Sequence, residues 1–244
     1  MYQDAIILAA GRGVRLAPYT QDAPKPMTEV CGKSILANAL SNFAEVGGKR
    51  AYIVTGYKNQ MLIEHANQYN AGLEIVEIYS PRFATTNNMY SLWLARQVLS
   101  QGCMLLEGDV FFDTTILPQL KGANSEGSYW FADIFKEGMN GCMLTADGDG
   151  AIRQLEIIRE QKAARLENVY KSIGILAITA QLGRKIVRWL EQDIASGRTD
   201  VYYDLVLADH LHEANLSILD ISSGKWMEID DAHDLLVAEG MFRQ

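Results

Sequence analysis

Ala5-Ile-Ile-Leu-Ala-Ala-Gly-Arg-Gly-Val-Arg-Leu16, with Pro24-Lys25-Pro26 downstream, is the stretch on which the fold turns. The apolar run Ile6–Ala10 reads as a buried first strand of a parallel sheet, because strands covered on both faces carry continuous apolar residues. The run breaks at Gly11-Arg12-Gly13, where small residues let backbone N–H groups approach a ligand closely. Two fixed cations follow, Arg15 and Lys25. Backbone donors from a glycine loop, plus Arg and Lys for charge, are what a polyphosphate requires. A Gly-x-Gly turn alone carries little weight. Strand, Gly-x-Gly, Arg and Pro-Lys-Pro in that order carry much more. The two prolines stiffen the loop that presents Lys25.

Outward from this loop, strand and helix patterns alternate. Ala5–Ala10 is strand-like. Ser34–Val46 has helical spacing, with Ile35, Leu36, Ala39, Leu40 and Phe43 on one face and Gly47-Gly48 as its stop. Ala51–Thr55 is a second strand, Asn59–Tyr69 a polar helix and Leu73–Ile78 a third strand. Asn88–Leu99 reads as one helix, and Cys103–Leu106 as a fourth strand ending at Glu107-Gly108-Asp109. This rhythm predicts an α/β, Rossmann-like three-layer αβα fold with a mixed, mainly parallel central sheet and ligands at the strand C-terminal ends. The second half is less regular. Ser128–Phe135, Gly141–Thr145, Ile152–Ile158 and Val169–Ile178 have strand composition, as do Ile218–Ile221 and Trp226–Ile229. Ala180–Ala195, Tyr202–Glu213 and Ala232–Phe242 are helical in pattern. These later strands are expected to extend the same sheet and to form a small lid over the substrate.

The 244 residues suffice for one sizeable core, and 48% apolar with 21% charged is ordinary for a globular chain. A net charge of −8 argues against nucleic-acid binding, since no basic field exists to displace counterions from phosphates. An acidic chain that binds a polyphosphate must concentrate its few cations or use a divalent metal. Cys31, Cys103 and Cys142 are widely spaced, without a CxxC or Cys/His cluster, and read as reduced, mostly buried thiols. No basic stretch followed by an apolar core opens the sequence, so no signal peptide is expected. The apolar runs are too short to span a bilayer. A cytoplasmic location, with no membrane partner, is the expectation.

Leu8-Ala9-Ala10-Gly11-x-Gly13-x-Arg15-Leu16 with Pro24-Lys25 resembles the signature of the sugar-phosphate-type nucleotidyltransferases. These join a nucleoside monophosphate from an NTP to a phosphorylated substrate and release pyrophosphate. Within that family, Thr86-Asn87-Asn88-Met89-Tyr90-Ser91-Leu92 and Glu228-Ile229-Asp230 look like the bacterial CTP:phosphocholine cytidylyltransferase branch. The resemblance implies a single domain over residues 1–244, with a nucleotide-binding half (1–112) and an acceptor-binding half (113–244). Its ligands would be CTP and a small phosphorylated or phosphonate amine, with Mg²⁺ as cofactor and a homodimer possible.

On that resemblance, backbone at Leu8, Ala9, Ala10, Gly11 and Gly13 binds the nucleotide. Arg15 stabilises departing pyrophosphate, and Lys25 neutralises α-phosphoryl oxygens as they gain charge. Asn87, Asn88 and Ser91 would recognise cytosine, an amide being able to pair with a donor and an acceptor on one pyrimidine edge. The same segment could be a helix N-cap with a packed Tyr90. Asp109 and Asp230 would bind Mg²⁺, which takes one or two carboxylates plus phosphate oxygens. Asp109 could instead cap a helix, and Asp231 competes with Asp230 for the ligand role. No histidine or cysteine constellation suggests a general base, and an acceptor phosphate or phosphonate dianion needs none.

Asp200-Val201-Tyr202-Tyr203-Asp204 resembles the acceptor segment of the branch, with Glu228 joining it. Aromatic faces and carboxylates bind an ammonium by cation–π and charge attraction. The bland alternative is a helix start with core tyrosines. Relatives carry a tryptophan near Asn140–Met143, where this chain has Gly141-Cys142-Met143. Phosphocholine is the first expectation for the acceptor. The thinner aromatic cage brings 2-aminoethylphosphonate and phosphoethanolamine alongside, since these need carboxylates more than rings. A sugar-1-phosphate nucleotidylyltransferase, or a nucleotide-sensing domain on the same fold, are the remaining alternatives.

Overall fold

The computed structural model describes residues 2–159 and 168–243. In chain order the elements begin with β1 (Asp4–Ala9), a two-strand turn β2 (Glu29–Val30) and β3 (Lys33–Ser34), α1 (Ile35–Glu45), β4 (Arg50–Thr55), α2 (Asn59–Gln68) and β5 (Glu74–Tyr79). Then come α3 (Asn88–Leu94), α4 (Arg96–Leu99), β6 (Cys103–Glu107), β7 (Val110–Phe112), β8 (Ser128–Ile134), β9 (Gly141–Ala146), β10 (Ile152–Ile158) and β11 (Val169–Ile178). The chain closes with α5 (Ala180–Ala195), α6 (Tyr203–Asp209), α7 (Leu211–Ala214), β12 (Leu216–Asp220), β13 (Trp226–Glu228) and α8 (Ala232–Phe242). Among the described residues no helix is long and apolar enough to cross a membrane.

Nine strands form one mixed sheet, ordered β10-β9-β11-β6-β1-β4-β5, with β8 beside β11 and β12 beside β8. β6, β1, β4 and β5 run parallel, so Leu8 pairs with both Val54 and Glu107. Side chains alternate across β1: Ala5, Ile7 and Ala9 pack under α1 and α2, while Ile6 joins the cluster under α3 to α6. Burying each of the two isoleucines contributes roughly 1.5–3 kcal/mol.

Two helices expected to be continuous are each broken. The Asn88–Leu99 stretch tightens at Ala95, whose N–H reaches the Leu92 carbonyl and splits α3 from α4. The Tyr202–Glu213 stretch breaks at His210, whose ring lies flat on Trp189 with centroids 4.5 Å apart. Ser34 caps α1 by accepting from the Ala37 N–H, and Gly47 turns the chain with φ +92°. Cys31, unlike Cys103 and Cys142, is exposed, and all three are free thiols.

β11 changes partner along its length. Val169–Lys171 pair with β9, whereas Ile175–Ile178 pair with β6, and β8 flanks both halves. The register slips between Ser172 and Ile175 around Gly174, whose φ is +70°. Across this bulge the strand passes from β9 to β6. β13 and β7 pair apart from the main sheet, bringing Glu228 opposite Val110, directly after Asp109.

Candidate active site

The glycine loop leaves β1 at the C-terminal edge of the sheet. Gly13 takes a left-handed conformation (φ 62°, ψ 39°), and a Cβ there would stand 2.7 Å from Lys25 Cβ. Gly13 therefore serves twice, turning the chain and letting the Lys25 stem pack against its backbone. Thr20 Oγ1 donates to the Gly13 carbonyl at 2.8 Å and pins the loop. Gly108 is equally constrained, since a Cβ would meet the Leu8 carbonyl at 2.7 Å. Leu8, Ala9, Gly11, Gly13, Arg15, Lys25, Gly108, Asp109 and Asp230 line one cleft of about 260 Å³. Ala10 sits behind it, its carbonyl accepting from the Tyr57 N–H.

Inside the cleft the expected cations and carboxylates are each other's partners. Lys25 Nζ donates to Asp109 Oδ2 at 2.9 Å and to Asp230 Oδ1 at 2.8 Å, and Arg15 donates to the same Asp230 oxygen at 2.8 Å. Burial opposes the Lys25 charge, but the two carboxylates outweigh it and hold the ammonium above its usual pKa. For Asp230, burial pushes up while Lys25 and Arg15 pull down, and the net direction is down. Asp231, its neighbour, instead caps α8, accepting from the His233 and Asp234 N–H groups in a capping box. Asp109, Glu228 and Asp230 each offer an oxygen within 4.8 Å of the other two. Asp109 Oδ1 is buried and finds no hydrogen-bond partner among the described residues.

The Asn-Asn-x-Tyr-Ser segment sits at the start of α3. Asn87 is its N-cap and accepts from the Asn88 N–H, while Asn88 Oδ1 accepts from the Tyr203 N–H at 2.8 Å. The capping role weighed for this segment is therefore real for Asn87. Asn88 ties the segment to α6. Ser91 and Tyr90 are buried, with the Arg82 guanidinium 5.1 Å from the Tyr90 ring centre.

The expected acceptor segment divides. Asp200 and Tyr202 are exposed, whereas Tyr203 and Asp204 are buried. The Tyr203 ring stacks on Trp130 at 6.4 Å, and its hydroxyl donates to Glu107 Oε1 at 2.7 Å. It is thus a core tyrosine with a polar tip in the site. Asp204 Oδ1 is buried and unpartnered among the described residues. Burial raises its carboxyl to about 7, with Lys171 opposing and Glu228 assisting. Burial also drives Glu107 well above the carboxylate range, reinforced by Asp204, Asp109 and Glu228.

Lys171, Glu107, Cys142 and Trp226 were not among the expected site residues. Lys171 is 6% exposed, and its Nζ donates to Glu228 Oε2 and to the Ser172 carbonyl, each at 2.9 Å. Glu107 alone had a signal, since it immediately precedes Gly108-Asp109 at the strand end. The chain thus assembles a cleft with fixed cations, an acidic trio suited to a hard cation, and a neighbouring cluster of buried carboxyl groups around Lys171.

Comparison with known proteins places this arrangement. The family described as Nucleotidyl transferase matches residues 4–154. CMP-5'-(3-aminopropyl)phosphonate synthase of Streptomyces rubellomurinus is 33% identical over 98% of the chain, which spans 38% of that relative's length. Choline-phosphate cytidylyltransferase of Streptococcus pneumoniae is 26% identical, covering 94% of each sequence. The solved structure of CTP:phosphocholine cytidylyltransferase from Streptococcus pneumoniae superposes with a TM-score of 0.82 at 22% identity, over 100% of both chains, and so shares the fold.

Proposed function

This chain belongs to the nucleotidyl transferase family, and from that premise we propose that it is a cytidylyltransferase moving CMP from CTP to a small amine that carries a phosphate or phosphonate. An acceptor oxygen attacks the α-phosphorus, the bond to the β-phosphate oxygen breaks, and pyrophosphate leaves with that electron pair. The observation that carries the reading is Lys25 clasped between Asp109 and Asp230 on the wall of the glycine-loop cleft. A nearly buried ammonium facing a polyphosphate cleft is suited to charge that grows on the α-phosphoryl oxygens. Arg15, whose side chain is 72% exposed, is free to swing from Asp230 to the leaving pyrophosphate. Backbone N–H groups of Ala10–Gly13 serve the triphosphate, and Asn88 and Ser91 the base.

The donor set fits a hard divalent cation: three carboxylates converge, and Asp109 has an orphaned buried oxygen. Asp109 and Asp230 would hold Mg²⁺, which when bound supplies charge neutralisation between the nucleotide and acceptor oxygens. Lys25 and Arg15 favour the ionised form of Asp230 until then. The acceptor is already an oxyanion, so the chain need not hold a general base.

Both named relatives support the amine. One makes a CMP-aminoalkylphosphonate and the other acts on choline phosphate, according to their names. Asp204, Glu107 and Glu228 outnumber the one buried cation among them, Lys171, and a cationic acceptor offsets that surplus where a neutral sugar does not. The test is pyrophosphate release with CTP, ATP, GTP and UTP against phosphocholine, phosphoethanolamine, 2-aminoethylphosphonate and glucose 1-phosphate. CTP with an amine should dominate. Glucose 1-phosphate outperforming every amine overturns the reading.

A further inference from the structure

The cluster of side chains proposed to meet the acceptor contains an ammonium of its own, that of Lys171. Lys171 leaves the first half of β11, just before the bulge, opposite Met143 of β9 and Asp133 of β8. Its Nζ lies 5.9 Å from the centre of the Trp226 ring and 2.9 Å from Glu228 Oε2, with the Ser172 carbonyl also at 2.9 Å. The Trp226 ring is itself held, its Nε1 donating to Asp133 Oδ2 at 3.1 Å. On the remaining side stands Gly141, where even a Cβ would come within 2.9 Å of Nζ. An aromatic face and a carboxylate around a desolvated cation form the arrangement that recognises quaternary ammonium ligands. Here the lysine fills it, and on the Gly141 side even one added carbon would crowd the nitrogen.

What the pocket leaves for an incoming acceptor is different in kind. Asp204 is 8% exposed, lies near enough to Lys171 and Glu228 to feel their charges, and has Oδ1 without a partner. A buried carboxylate oxygen of this sort is satisfied by an N–H donor. A primary ammonium brings three such donors, whereas a trimethylammonium brings none.

We propose that Lys171 sets acceptor specificity: its ammonium occupies the Trp226–Glu228 cage, shuts out a quaternary ammonium, and leaves Asp204 to receive a primary one. The acceptor is accordingly a primary-amine phosphate or phosphonate. This rests on the cytidylyltransferase reading above and narrows its acceptor. Lys171 acts by position and takes no part in bond making.

Phosphoethanolamine and phosphocholine differ only by three methyl groups, so they isolate the effect. With CTP and the wild-type chain, kcat/KM should favour phosphoethanolamine by roughly tenfold or more, the scale of discrimination a tight pocket achieves over a few methyl groups. Lys171→Met and Lys171→Gln should both narrow that ratio by raising phosphocholine turnover, with KM for CTP unmoved. The glutamine variant keeps a hydrogen-bond donor for Glu228, and its thermal transition checks that the fold is intact. Phosphocholine preferred by the wild type overturns the proposal, as does a folded Lys171→Gln chain with an unchanged ratio. Pyrophosphate release with no amine at all, but with glucose 1-phosphate, overturns the underlying cytidylyltransferase reading instead.

Discussion

Lys25 and Asp230, 205 positions apart in sequence, meet at 2.8 Å, and Asp109 completes the clasp on the other side of the same ammonium. The cation expected to serve the α-phosphate and the carboxylates expected to serve a metal therefore neutralise one another. On the proposed function, nucleotide and metal would then arrive as a matched pair of charges, since either alone leaves one side of the clasp unpaired.

Lys25→Ala should lower kcat for pyrophosphate release by about 10²–10³, the usual scale for removing a preorganised group that meets developing charge. Because Asp109 and Asp230 then face each other without their cation, the thermal transition should also fall, by a shift equivalent to about 1–3 kcal/mol. A variant with near-normal kcat removes Lys25 from its role.

Chelation with EDTA should abolish turnover, and added Mg²⁺ should restore it. Asp109→Asn and Asp230→Asn should each raise the Mg²⁺ concentration needed for half-maximal rate. Asp231→Ala is the control: loss of the α8 cap should cost about 1 kcal/mol of stability while leaving metal dependence alone. The opposite pattern, with Asp231 controlling metal dependence, would move the ligand by one residue.

Arg15→Ala should leave the melting temperature nearly unchanged, because its ion pair with Asp230 is exposed and such pairs contribute little. Its effect should fall on the nucleotide, as a higher KM for CTP and a lower kcat. An unaltered kcat/KM for CTP would place Arg15 outside the site.

Gly13→Ala should destabilise the chain by about 1–2 kcal/mol, the cost of a left-handed L residue, and should disturb Lys25, whose Cβ lies 2.7 Å from the new methyl group. Turnover should therefore fall further than stability does. Activity and melting temperature both matching wild type would contradict this.

Stability should fall as pH rises from about 4 to about 7. Asp204 titrates at about 7 in the folded chain, above an ordinary unfolded value near 3.9, so the folded state holds more protons across that window. The slope should be on the order of 1 kcal/mol per pH unit. Glu107, raised in the same direction, adds to it. Asp204→Asn should flatten the profile and gain most relative to wild type above pH 7. Denaturant titrations at several pH values measure both.

The nucleotide half was legible because its signals are local. Continuous apolar strands, glycines at forced turns and a caps-and-stops grammar put β1, α1, β4 and β6 within a residue or two of their observed ends. At the C-terminal carboxylates the backbone separates two neighbours that look alike in sequence: Asp231 caps α8, whereas Asp230 faces Lys25. The acceptor half was opaque for a stated reason. Val169-Tyr170-Lys171-Ser172 shows only strand composition in the sequence, and the partner that holds the buried Lys171, Glu228, lies 57 positions away. Tyr202 and Asp200 looked equal to Tyr203 and Asp204 in sequence, yet the start of α6 exposes the first pair and buries the second.

The partner exchange along β11 also bears on how such a chain can diversify. In the ladder, Ile175–Ile178 pair with β6, which neighbours the strand leading into the glycine loop, while Val169–Lys171 pair with β9, and β8 runs beside both. The slip between them works as a joint. Insertions or substitutions in the β9–β10 hairpin can be absorbed there without moving the phosphate-facing edge of the sheet. A protein engineer can thus vary Val169–Lys171 together with the β9 edge that pairs with it, using Ser172–Gly174 as the seam that separates them from the half of the strand bound to β6.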